Sequence, residues 1–194
     1  MDDRLKRVLI SIAGNLLPLV GLFAASWTLV ELIVLYWFEN LVIGAFNFLE
    51  MLRSKGEQVQ KTILSLFFAV HYGAFCFGHG MFLAVLLALS NNVPAEQIAP
   101  SLDYLFSFLP QVALVVLFWI ASSAFSYFTS KEQEFSFDLM FSPYKRIILI
   151  HAVIIALVFA LIIFPSILNA NITLVFSGIV LAKTIVDAYR EFKR

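Results

Sequence analysis

Six stretches of this chain stay apolar for as long as a helix needs to cross a bilayer, roughly 20 residues at about 1.5 Å each. They run Val8–Ala25, Thr28–Leu52, Thr62–Leu89, Leu105–Phe128, Tyr144–Phe164 and Ile172–Ala188. Spans this dense leave little room for anything else. Of the 194 residues, 61% are apolar and 13% charged, against about 45–50% and about 25% in a soluble domain. A water-soluble globule is therefore excluded, and 21 Phe exclude a disordered chain. The balance of 13 Lys+Arg against 13 Asp+Glu offers no basic field to nucleic acid. Cys76, the single cysteine, forbids an internal disulfide, a multi-cysteine metal site and an iron–sulfur cluster. The expected fold is all-α: one polytopic membrane domain over residues 1–194, a bundle of six transmembrane helices.

The breaks between the runs are chemically legible. Ser26-Trp27-Thr28 joins the first two, with Thr28 as an N-cap and Trp27 as an interfacial anchor. Asn91-Asn92-Val93-Pro94 stops the third. Ser142-Pro143 opens the fifth, with proline at a first helical position where no donor is lost. Pro165 is expected to close it, and Asn169-Ala170-Asn171 to lead into the sixth. The basic start and Ala24-Ala25-Ser26 resemble a signal peptide, but Asn15 and Pro18 interrupt the apolar region, so a retained helix is expected.

The basic residues set orientation. Arg4, Lys6 and Arg7 precede the first run; Arg53, Lys55 and Lys61 lie between the second and third. Lys131, Lys145 and Arg146 lie between the fourth and fifth; Lys183, Arg190, Lys193 and Arg194 finish the chain. Opposite segments carry only acidic charge, chiefly Glu96 and Asp103. The positive-inside rule then places both termini of this multi-pass chain in the cytoplasm. The link Thr129–Ser142 mixes Lys131, Glu132, Glu134 and Asp138 with Phe135, Phe137 and Phe141, a composition suited to the membrane surface. With links this short, function is expected inside the bundle.

A charged side chain at the bilayer centre costs about 2.5–3.5 kcal/mol even on gentle scales, and those that persist face an interior or a cavity. At about 1.5 Å per residue, Glu39 lies about 16 Å below the outer end of the second run, His71 about 15 Å from the inner face, and His151 and Lys183 each about 12 Å from it. Asn15 falls about 10 Å above Val8. Four ionisable groups on four helices share one slab. By helical phase, Glu39, Ile43, Phe46 and Glu50 form one stripe and Asn40, Gly44 and Asn47 another beside it. His79 lies about 80° round from His71 and about 12 Å higher, so a straight helix does not offer both to one metal ion. Tyr144 and His151 share a face, and Lys183 and Asp187 are spaced to pair.

Each residue also has a plainer reading. Glu39, His71, His79 and His151 serve as interhelical hydrogen-bonders, and Asn15, Asn40 and Asn47 as interhelical glue. Lys183–Asp187 is an internal ion pair with a snorkelling lysine, and Tyr144-Lys145-Arg146 an interface anchor. Absences narrow the field further: there is no His-Glu-x-x-His, no phosphate loop, no dinucleotide fingerprint and no arginine ladder.

Tyr36-Trp37-Phe38-Glu39-Asn40 with Gly44 and Asn47, His71-Tyr72-Gly73 with Gly78-His79-Gly80, Pro143-Tyr144-Lys145-Arg146 with His151, and Lys183-Thr184 with Asp187 stand in order along the chain. Together they resemble a family of bacterial and archaeal six-helix membrane proteins known as the domain of unknown function numbered 6498. The likeness runs over nearly the whole chain. It implies the six-helix architecture and groups Glu39, His71, His79, His151, Lys183 and Asp187 in one site, but it supplies no mechanism.

Three functional readings follow. The first is a transition-metal site, and with it a membrane metalloenzyme: Glu39, His71 and His151, with His79 as a further donor, hold zinc, iron or copper, while Lys183 stabilises negative charge and Asp187 orients it. Its variant is haem b with His71 and His151 as axial ligands. Asn40, Tyr144 and Arg146 stand beside that site. The second is a proton- or ion-coupled transporter using the same residues as a relay, which needs no cofactor. The third is a non-catalytic subunit in a homo-oligomer or with another membrane partner. In all three the lipid bilayer is the immediate surrounding.

Overall fold

The computed structural model is all-α and describes residues 2–24, 27, 29–90, 100–145, 147–148, 163 and 165–193. Its helices are α1 (Asp3–Ala24), α2 (Leu29–Arg53), α3 (Gln58–Ser90), α4 (Pro100–Thr129), α5 (137–145) and α6 (Pro165–Lys193). Among the described residues, three spans are long and apolar enough to cross a membrane: Asp3–Ala24, Gln58–Phe82 and Val112–Thr129.

Caps explain where several helices begin. Asp2 accepts from the Arg4 amide through its side chain (3.2 Å) and starts α1. Glu57 accepts from the Val59 and Gln60 amides, at 3.1 and 2.7 Å, so α3 begins at Gln58 and not at Thr62, where its apolar run does. Ser136 accepts from the Leu139 amide at 3.2 Å and starts α5 within the link expected to lie on the membrane surface. Pro143, expected to open a helix, stands inside α5. Pro165 opens α6, a position that needs no amide donor. Asn169 and Asn171, expected in a connection, are helical.

The chain divides into two compact units, Met1–Ser26 with Ser136–Arg194, and Trp27–Phe135. In the first, α1 and α6 pack antiparallel: Arg4 lies over the Phe192 ring, Arg7 reaches Glu191, and Asn15 meets Lys183. Gly14, Pro18 and Gly21 are buried on α1.

In the second unit, α2 packs between contacts to α3 and α4. Trp37 Nε1 donates to the Cys76 carbonyl (2.8 Å), Tyr72 Oη to the Asn40 carbonyl (3.0 Å) and Lys61 Nζ to the Ser54 carbonyl (2.9 Å), which fixes α2 and α3 as antiparallel. Tyr36 stacks on Trp119, Phe46 tilts against Tyr127, and Arg53 bonds Ser130, so α2 and α4 run parallel. Gly56 turns the chain from α2 to α3 with φ +144°, a conformation that side chains resist. The turn is clipped to the segment after α4 by Lys55 N to Gln133 O (2.9 Å) and Phe135 N to Lys55 O (2.8 Å). Away from these contacts α3 exposes Val59, Ile63, Leu66, Val70 and Phe77, an apolar stripe that water would not tolerate over such a length.

Candidate functional site

Four polar residues of α2 are buried. Glu39, Asn40, Asn47 and Glu50 are 5, 8, 5 and 9% exposed. The second of the two stripes, Asn40–Gly44–Asn47, is the face that meets α3. A Cβ on Gly44 would fall 2.7 Å from Cδ1 of Tyr72, so only glycine lets that ring lie against the α2 backbone. The ring's hydroxyl then reaches the Asn40 carbonyl. On α3 the buried face comprises Ser65, Phe68, Tyr72 and Cys76, at helical spacing.

That phase decides where the histidines go. His71, one residue before Tyr72, is turned about 100° away; it is exposed and stacks on Phe67 at 5.4 Å. His79 Nδ1 donates to the Phe75 carbonyl one turn earlier (2.7 Å), and its ring tilts against Phe75. Among the described residues, no three His, Cys, Asp or Glu side chains come close enough together to hold a metal ion. His151 and Arg146, expected in the same site, lie outside the described residues.

In the other unit, Lys183 donates to Asp187 at 2.9 Å and to Asn15 across the α1–α6 contact, with both charged side chains 9% exposed. Arg7 Nε stands 3.7 Å from Glu191 one step further along the same contact. Thr184, buried between Lys183 and Asp187 in sequence, returns its hydroxyl to the Val180 carbonyl. Tyr144 is half-buried and tilts against Phe141. Glu39, Asn40, His71 and His79 thus belong to one unit, and Lys183, Asp187 and Tyr144 to the other.

Two contributions escape a reading of the sequence by hydropathy. Ser65 is fully buried on α3, seven residues before Tyr72 and on its face, a phase that marks it in retrospect. Arg53 donates to the Tyr127 carbonyl and to Ser130 Oγ (2.9 Å) while lying 4.1 Å over the Tyr127 ring; it looks like one more interfacial cation but ties α2 to α4.

The family model described as a family of unknown function (DUF6498) matches residues 2–194. The chain belongs to this family. No curated protein and no solved structure matches it. Family membership covers the whole constellation described above and leaves its chemistry to be argued from the residues.

Proposed function

We propose that this DUF6498 protein is a six-span inner-membrane protein, both termini cytoplasmic, that moves protons across the bilayer by way of the carboxyls of α2. The observation that carries the reading is the burial of Glu39, Asn40, Asn47 and Glu50 on one membrane-length helix. Groups so costly in hydrocarbon persist where they serve a pathway. Glu39 and Glu50 are three turns apart, about 16 Å, and so reach across half of the hydrocarbon layer. The basic residues support the orientation: Arg53, Lys55, Lys61 and Lys131 gather at the end of the unit where α2 gives way to α3 and α4 ends.

The test is proton uptake into proteoliposomes under a pH gradient, read with an entrapped dye. Wild-type flux above the protein-free leak, abolished in Glu39→Gln, supports the reading. Flux that Glu39→Gln and Glu50→Gln both leave intact overturns it. So would one equivalent of a transition metal, or a Soret band, lost on His71→Ala in untagged protein, which would restore the metal reading of Glu39, His71 and His151.

A further inference from the structure

Three buried polar atoms along the α2–α3 seam have no hydrogen-bond partner among the described residues: Asn40 Oδ1, Asn47 Nδ2 and Ser65 Oγ. Leaving such an atom unmet costs about 1–3 kcal/mol, and Ser65 is 0% exposed. Their positions are related. Tyr72 Oη bonds the Asn40 carbonyl, which sets those two residues at one level. Asn47 lies seven residues further along α2 and Ser65 seven residues back along antiparallel α3, each about 10 Å away. Asn47 and Ser65 therefore share a second level. Between the two levels the Tyr72 ring lies against Gly44 and fills the seam.

The atoms specify what meets them. One accepts, one donates, and the hydroxyl does both. Asn40 Oδ1 is a single oxygen, too few to hold a cation, and an ion at the second level would have one amide and one hydroxyl to offset the loss of its hydration. Water satisfies all three, and turning either amide over only exchanges the role that the water plays. We infer that the seam holds ordered water at two levels, on Asn40 and between Asn47 and Ser65, kept apart by the Tyr72 ring. This deepens the proton-moving reading and rests on it for its purpose: Glu39 adjoins the first level in the chain and Glu50 lies one turn past the second, so each carboxyl has a water level near it to exchange a proton with, and the Tyr72 ring divides the path between them.

Radiolytic labelling of the full-length protein in lipid nanodiscs, in ¹⁸O-water, tests the inference, because buried side chains beside bound water take up label. Met51 and Phe68 report on the second level and Tyr72 on the first; Leu35, equally buried, is the control. The expected result is label at Met51, Phe68 and Tyr72 above that at Leu35. Asn47→Leu with Ser65→Ala should lose the label at Met51 and Phe68 and keep it at Tyr72. Label at the control level in wild type, or unchanged in the double variant, overturns the inference. In Tyr72→Ala the passive proton leak of proteoliposomes should rise, and an unchanged leak removes the ring's separating role. Labelling is read without a gradient, so absent wild-type flux would defeat proton movement while leaving the hydrated seam standing.

Discussion

The two units draw their buried ionisable groups from different sources. Between α1 and α6 the charges come in opposite pairs: Lys183 with Asp187, braced by Asn15, and Arg7 with Glu191. On α2 the buried polar residues are two carboxylic acids and two neutral amides, Glu39, Asn40, Asn47 and Glu50, and the helix itself holds no lysine, arginine or histidine before Arg53. A neutralised pair in low dielectric holds its geometry and resists change of charge. A carboxyl accepts hydrogen bonds when charged and also donates one when protonated. The first arrangement suits a latch, and the second is where the proposed proton path is placed.

The largest effect should separate these roles outright. Glu39→Gln is expected to reduce proton flux to the protein-free leak while the protein still purifies as a folded species, since the amide keeps the shape of the acid. Lys183→Met with Asp187→Leu should do the reverse, keeping flux measurable. If the double variant also abolishes flux while its melting temperature is unchanged, the latch is part of the pathway and the contrast between the units fails.

Next in size is the cost of breaking the latch by halves. Lys183→Ala leaves Asp187 buried without its lysine, and removing one partner of such a pair costs about 3–5 kcal/mol. Replacing both by apolar residues, as in Lys183→Met with Asp187→Leu, should recover most of that loss. Thermal unfolding in detergent reads both. Equal destabilisation by the single and double variants would show that the pair contributes through packing alone.

A smaller effect tests the close approach in the other unit. Gly44→Val drives side-chain atoms into the Tyr72 ring, and overpacking of this kind costs about 1–3 kcal/mol. Tyr72→Leu combined with it should relieve the clash, and the melting temperature of the double variant should exceed that of Gly44→Val. No rescue would place the strain elsewhere on α2.

Much of this contrast is legible in the sequence, and the illegible part has physical causes. Hydropathy marks the apolar body of each helix, so α2, predicted over Thr28–Leu52, is observed over Leu29–Arg53. It does not see caps: Glu57 starts α3 and Ser136 starts α5 with polar atoms that an apolar window discards. Proline is ambiguous by nature, since a residue that ends one helix equally well begins another, and Pro165 opens α6. Depth along a helix places Glu39 and His71 in one slab, but depth says nothing of phase. Tyr72 takes the buried face of α3, and its neighbour His71 is turned outward as a consequence. Asn40, Gly44 and Asn47 are legible because three residues at helical spacing define a face, whereas the partner of Lys183 is half visible: Asp187 follows from spacing, Asn15 only from the packing of α1 on α6.

The smallest effect is the most instructive, because it holds the chemistry constant. Lys145 meets Asp138 at 3.2 Å, close to the 2.9 Å between Lys183 and Asp187, yet its side chains are 72% and 90% exposed where those of the buried pair are 9%. In water the attraction is screened and two long side chains lose freedom to make it, so such pairs contribute about 0–1 kcal/mol. Lys145→Ala should therefore leave the melting temperature where it is, and raising the salt concentration should not move it either. The same salt should leave the Lys183–Asp187 contribution intact, since ions do not reach it. A shift on Lys145→Ala comparable to that on Lys183→Ala would mean that proximity and not burial gives the α1–α6 latch its strength, and the difference drawn between the two units would then rest on geometry alone.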